Sequence, residues 1–197
     1  MDFGGVLTTN VFDSFKDFCV AEGLEPDAVK RLFREDPEAL GLLRQLERGE
    51  VERGRFSELF APILGITDHE GLVERLFAGM VPDHAMLDAV EKAHDAGIRT
   101  GLISNSWGEG HYDRDMLPGI FDGIVISGDV GMHKPNADIY LLGAERAGAA
   151  PEDCVFVDDL RENCAGAEAV GMTAILHRGA QGTLPELERL LGVTLST

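Results

Sequence analysis

A chain of 197 residues, 44% hydrophobic and 26% charged, holds enough apolar material for one medium domain with a modest insert, and is too short for two full domains. Seventeen Lys and Arg stand against 35 Asp and Glu, a formal charge of −18. Such a surface repels phosphate backbones and anionic lipid, so no nucleic-acid and no membrane partner is expected. The longest apolar runs, such as Ile124-Val125-Ile126, fall far below the roughly 20 residues of a bilayer-spanning helix. No basic-and-apolar leader is visible, so the chain is expected to be cytoplasmic. Cys19, Cys154 and Cys164 show neither CxxC nor zinc spacing and are expected to be buried thiols.

In chain order, two textures follow one another. From about Val11 to Gly79 the apolar residues recur at helical spacing, as in Val11, Phe12, Phe15, Phe18 and Cys19. Pro26 and Pro37 open helices here, while Gly23, Gly49 and Gly65 end them, which predicts a small all-helical unit over 11–79. Beyond Val81 the pattern alternates. A helix is predicted from about His84 to Ala96, a strand over Ile98–Ile103 and another near Gly123–Ser127. A helix from about Asn136 to Ala147 precedes a strand at Cys154–Val157. A helix to about Val170, a strand at Thr173–Leu176 and a helix near Leu184–Leu191 complete the chain. Strands alternating with helices predict an α/β fold: a Rossmann-like parallel sheet core, with helices on both faces, formed by residues 1–10 and 80–197 around the inserted all-helical cap. Met1 and Asp2 read as the tail of a strand running into a glycine loop, shorter than the roughly five residues a buried strand normally has.

In open parallel sheets of this type, ligands bind beyond the carboxyl ends of the strands. The polar residues at those ends are Asp2, Ser104-Asn105, Lys134, and Asp158-Asp159 with Asn163. Each has an ordinary reading: a solvated terminus, a turn pair, a loop lysine or a helix cap. Together they carry chemistry. A carboxylate can attack phosphorus and form an aspartyl-phosphate. Paired carboxylates hold Mg²⁺, while an ammonium and a hydroxyl balance the remaining phosphoryl oxygens. Lys134 is one of only four lysines in the chain, and it falls in the loop this sheet uses for ligands.

Four segments carry a resemblance: Asp2-Phe3-Gly4-Gly5-Val6-Leu7, Leu102-Ile103-Ser104-Asn105, His133-Lys134-Pro135-Asn136-Ala137-Asp138-Ile139-Tyr140, and Val155-Phe156-Val157-Asp158-Asp159 with Asn163. In this order and spacing the chain resembles the haloacid dehalogenase-like (HAD) hydrolase superfamily, helical-cap subgroup. Its opening is similar to the phosphatase-like N-terminal domains of epoxide hydrolases. The resemblance implies a Mg²⁺-dependent phosphatase acting on a small phosphorylated metabolite. Asp2 would be nucleophile and metal ligand, and Asp159 would complete the metal site with the Gly4 carbonyl. Ser104 and Lys134 would hold the phosphoryl group, with Asn105 shaping the turn, and Asp158 and Asn163 would lie in or just behind the metal shell. Nothing in the sequence fixes the substrate or the oligomeric state.

Two departures from that pattern matter. The resemblance places a general-acid aspartate two residues after the nucleophile, where this chain has Gly4. Glycine has no proton to give, which predicts a preference for activated leaving groups, since acid–base help is worth about 10²–10⁴-fold. The first strand is also a stub, so four to six apolar residues ahead of Met1 are expected to raise stability. Two other readings are a non-catalytic phospho-ligand-binding or regulatory protein, and a haloacid dehalogenase. The dehalogenase uses no metal and leaves Asp158-Asp159 without a purpose. Among weaker signals, Trp107, His111 and Tyr112 are candidates for the pocket mouth or for packing. Arg44, Arg48, Arg53 and Arg55 offer an anionic subsite or a solvated helix face.

Overall fold

A computed structural model describes residues 1–107 and 119–196 of the protein. His111 and Tyr112 lie outside the described residues. Five helices come first: α1 (Val11–Ala21), α2 (Ala28–Glu35), α3 (Pro37–Glu47), α4 (Arg53–Leu64) and α5 (Leu72–Phe77). Their ends follow capping chemistry. The Asn10 side chain accepts from Phe12 N–H at 2.8 Å to start α1. Asp36 accepts from Glu38 and Ala39 N–H at 2.9 and 3.0 Å, with Pro37 in the first turn of α3, where a missing N–H costs nothing. The apolar stripes of all five converge in one core built on Phe15, Phe33, Phe56, Phe60, Leu72 and Leu76.

Trp107 belongs to this core. Its ring lies 4.8 Å from Phe77, 5.5 Å from Phe15 and 5.8 Å from Phe33, in edge-to-face contacts. The segment after the first strand therefore plants its aromatic side chain among the helices, where edge-to-face pairs add to the burial of the ring.

The remaining elements are α6 (His84–Asp95), β1 (Gly101–Ser104), β2 (Gly123–Ile126), α7 (Ser127–Val130), α8 (Ala137–Ala147), β3 (Val155–Asp158), α9 (Arg161–Ala169), β4 (Thr173–Leu176) and α10 (Ala180–Leu191). The strands form two parallel pairs, β1 with β2 and β3 with β4. Met1 and Asp2 join them. The Met1 ammonium donates to Gly101 O at 2.6 Å, Ile103 N–H donates to Met1 O at 2.9 Å, and Asp2 N–H donates to Val157 O at 2.9 Å. The spatial order is thus β2, β1, residues 1–2, β3, β4. Period-two alternation sends Leu102, Val157 and Ile175 into a core with α6 and α10. Ile103 and Phe156 go to the opposite core with Ile139, Tyr140 and Ala167 from α8 and α9. Helices therefore cover both faces of a Rossmann-like arrangement.

Several boundaries differ from the sequence expectation. β1 starts three residues late, because Gly97 closes α6 with φ 83° and Ile98 still bonds back to Ala93 O. α7 stands where a loop was expected, since Ser127-Gly128-Asp129 is too short a run to show periodicity. α10 begins four residues early. Gly182 and Thr183 N–H both reach Gly179 O, which closes a tight first turn ahead of Pro185. The strands are hydrogen-bonded as two pairs, with residues 1–2 bridging β1 and β3. Beyond Met1 the gap between β1 and β3 is a cavity of about 320 Å³, lined among others by Met1, Ala93, Ile103, Phe121, Phe156 and Leu187.

Candidate active site

The carboxyl ends of residues 1–2, β1 and β3 meet at one edge of the sheet. Asp2 continues the stub, and a tight turn follows it, closed by Leu7 N–H on Phe3 O at 2.9 Å. Asp158 ends β3 and Asp159 follows it. Carboxylate oxygens of Asp2, Asp158 and Asp159 lie within 4.8 Å of one another, and all three residues are buried. Lys134, arriving from the loop ahead of α8, places Nζ 2.7 Å from Asp2 Oδ1 and 2.7 Å from Asp158 Oδ2. Ser104 is buried at the end of β1, one residue beyond the Ile103–Met1 bond.

The support around these groups divides the carboxylates by use. Asp158 Oδ1 accepts from Leu160 N–H at 2.8 Å and from Asn163 Nδ2 at 3.0 Å. Its Oδ2 accepts from Lys134 and, at 3.1 Å, from Asn163 Nδ2 again. Both oxygens are thus engaged by the protein, and Asp158 orients Lys134. Asn105 performs a similar service. Its Oδ1 accepts Lys134 N–H at 2.9 Å and its Nδ2 donates to Lys134 O at 3.2 Å, so one amide fixes the backbone of the lysine.

Asp159 is held through its backbone, whose carbonyl accepts from Arg178 at 2.8 Å. Its carboxylate lies against Gly5, where a Cβ would meet Oδ2 at 2.6 Å. Gly5 also has φ 77°, so sterics and backbone conformation both demand glycine there. Gly4 is different. Its φ is ordinary, and a Cβ would meet only the side-chain tip of Val11, at 3.0 Å.

Charge follows from burial. Desolvation pushes the Asp2 carboxyl up to about 6, with Lys134 pulling it down and Asp158 pushing it further up. Desolvation together with Asp2 and Asp158 pushes Asp159 up to about 7. Burial alone would lower Lys134, but the two carboxylates at 2.7 Å more than offset it and hold the ammonium above its ordinary value. Among the described residues, three clustered carboxylates meet the Lys134 ammonium, which contacts two of them. An oxygen-rich set with surplus negative charge fits a hard divalent cation such as Mg²⁺, for which Asp2 and Asp159 have the freer oxygens.

One functional candidate was not visible in the sequence. Glu47, at the end of α3, accepts a hydrogen bond from the Asn105 side chain at the edge of this site and feels the charges of Lys134 and Asp2. It stands among ordinary acidic helix residues, and nothing in its spacing marks it out. Three of the four candidate arginines of the helical unit are paired elsewhere, Arg48 with Glu50, Arg53 with Glu74 and Arg55 with Glu58, at 2.9, 2.9 and 2.8 Å, whereas Arg44 acts on the Glu47 carboxyl. His133 holds Lys134 O at 2.9 Å through Nδ1.

A parallel α/β core carrying acidic residues at its strand ends, with a helical insert above them, defines a class of hydrolase. The profile described as haloacid dehalogenase-like hydrolase matches residues 1–171, and the chain belongs to that family. Bifunctional epoxide hydrolase 2 of Rattus norvegicus is 33% identical over 114 residues, which is 54% of this chain and 21% of that protein. The chain therefore spans about a fifth of the length of that relative. The sesquiterpene phosphatase AstK of Aspergillus oryzae is 28% identical over 157 residues, covering 75% of this chain and 78% of its own. A HAD family enzyme of Bacteroides thetaiotaomicron, solved with magnesium and inorganic phosphate, superposes with a TM-score of 0.64 at 20% identity. The superposition covers 88% of this chain and 90% of that one, and it bears on the fold. Among the described residues no helix is long and apolar enough to cross a membrane.

Proposed function

We propose that this hydrolase is a metal-dependent phosphatase acting on a small organic phosphate through an aspartyl-phosphate on Asp2. In this reading residues 1–10 and 80–197 form the catalytic core and residues 11–79 the cap that closes over substrate. The observation that carries it is the convergence of Asp2, Asp158 and Asp159 within 4.8 Å around the Lys134 ammonium. A dehalogenase would have no use for the second and third carboxylates. The phosphatase named among the relatives, and the magnesium and phosphate bound by the Bacteroides enzyme, lend support.

Asp2 and Asp159, with the Gly4 carbonyl, would hold Mg²⁺, which when bound supplies charge neutralisation for the phosphoryl oxygens. The chain's own groups do the rest. Lys134 keeps Asp2 ionised and aimed at phosphorus, and its remaining proton donates to a phosphoryl oxygen. Ser104 donates to another. Asp158 and Asn163 keep Lys134 in place, because phosphoryl transfer asks chiefly for positioning and charge stabilisation. Attack by an Asp2 oxygen breaks the bond from phosphorus to the leaving oxygen. Water then attacks the phosphorus of the aspartyl-phosphate, releasing phosphate and restoring Asp2. Closure of helices α1–α5 over the site excludes bulk water during the first step.

Turnover of 4-nitrophenyl phosphate tests the reading when measured with Mg²⁺, with chelator and in Asp2→Asn. Turnover that requires the metal and is lost in Asp2→Asn is expected. Turnover indifferent to both, or phosphate binding without turnover, refutes it.

A further inference from the structure

We propose that Glu47 is the proton donor to the leaving group; this rests on the phosphatase reading above. The end of α3 is set onto the core by two contacts. Ser106 N–H donates to Ser127 Oγ at 2.7 Å, and Ser127 Oγ–H donates onward to the Glu47 carbonyl. Gly49, with φ 70°, lies so close to α7 that a Cβ would come within 2.7 Å of the Gly128 carbonyl. With its backbone fixed in this way, Glu47 turns its carboxyl to the Asn105 amide, the same group that clamps Lys134. It is close enough to be coupled electrostatically to both Lys134 and Asp2.

This position has a chemical meaning. The nucleophile approaches phosphorus from the core, so the leaving oxygen departs in line on the opposite side, toward the helices. Glu47 is a carboxyl carried by α3, one of those helices, and hydrogen-bonded to Asn105 beside the lysine. Burial pushes it up to about 7, and the Asp2 charge adds to the rise, while Lys134, the Asn105 hydrogen bond and Arg44 oppose it. An acid of that strength is substantially protonated at neutral pH, the condition a general acid must meet. As the phosphorus–oxygen bond breaks, the Glu47 proton passes to the leaving oxygen and an alcohol departs. The carboxylate left behind takes a proton from the water that attacks the aspartyl-phosphate, and the cycle closes. The missing side chain at Gly4 is thereby made good from the cap, and the preference for activated leaving groups expected from Gly4 does not apply to the intact enzyme.

Glu47→Gln keeps the size of the side chain and its place beside Asn105 but has no acid proton. Kinetics on two esters of similar size, 4-nitrobenzyl phosphate and 4-nitrophenyl phosphate, separate the outcomes, because only the first needs its leaving oxygen protonated. In the variant kcat on the benzyl ester is expected to fall by about 10²-fold or more, with a loss at least about tenfold smaller on the aryl ester. The alkaline limb of the wild-type pH profile on the benzyl ester should disappear with it. Equal losses on the two esters, or a change confined to KM, overturn the proposal while leaving the phosphatase reading standing. A wild-type protein inert toward both esters overturns the reading and the proposal together.

Discussion

The gap between β1 and β3 makes a quantitative prediction about stability. β4 takes up the bonds of Cys154 and Asp158, so strand alternation turns Val155 and Val157 toward the gap, and Gly101 faces it from β1. Met1 lies at the mouth of a cavity of about 320 Å³ lined largely by apolar side chains. Consider a variant carrying four added residues, Val-Leu-Ile-Val, directly ahead of Met1. Burying each side chain contributes about 1.5–3 kcal/mol. Ordering its backbone costs about 1–2 kcal/mol and its side chain about 0.5–1 kcal/mol, while each ladder hydrogen bond returns about 0.5–1.5 kcal/mol net. The balance is about 1 kcal/mol per residue, or about 4 kcal/mol in all, which at this chain length raises Tm by roughly 8–16 °C. Calorimetry of the two metal-free proteins measures it, with a Gly-Ser extension of equal length as control. Amide exchange at Val157 and Gly101 should slow in the apolar variant alone. Equal melting temperatures, or a Gly-Ser extension that stabilises as much, would show that the gap is no strand site.

Two further predictions concern the acidic cluster. Because burial raises Asp159 to about 7, its protonated form is favoured in the folded metal-free protein, and the associated stability is full below about 4 and lost as pH rises through 7. Asp159→Asn should therefore stabilise the metal-free protein at pH 8 relative to pH 4, by on the order of 2–4 kcal/mol, and abolish the stabilisation that Mg²⁺ gives the wild type. Urea titrations at the two pH values check this, and a pH-independent difference would contradict it. Gly5→Ala should cost about 1–2 kcal/mol from its left-handed backbone alone. It should also weaken Mg²⁺ binding, because the new Cβ displaces the Asp159 carboxylate; calorimetric titration with Mg²⁺ that matches the wild type would refute the geometry.

Much of the site was legible because its residues end strands. Asp2, Ser104, Asp158 and Asp159 each follow or close an apolar segment, and a parallel sheet brings such positions to one edge, whereas Lys134 comes eight residues after β2, from the loop beyond α7. The division of labour among them was not legible. That Asp158 spends both oxygens on Lys134, Asn163 and Leu160, leaving Asp159 freer, depends on rotamers and on a turn that sequence does not encode locally. Glu47 was invisible for a different reason. It reaches the site through packing of α3 on α7, and the four-residue α7 has no periodic signal of its own. Trp107 shows the same limit. Its place after β1 suggested a pocket mouth or simple packing, and only the tertiary structure reveals that it is inserted among Phe15, Phe33 and Phe77 of the helical unit.

The central claim is that an oxygen of Asp2 takes the phosphoryl group. Rapid acid quenching of the enzyme mixed with 4-nitrophenyl phosphate and Mg²⁺, followed by peptide mass spectrometry, reads this directly. A phosphoryl group is expected on the amino-terminal peptide at Asp2, absent without the metal and absent in Asp2→Asn. Undiminished turnover with no modified Asp2, or a phosphoryl group found on another residue, would contradict it.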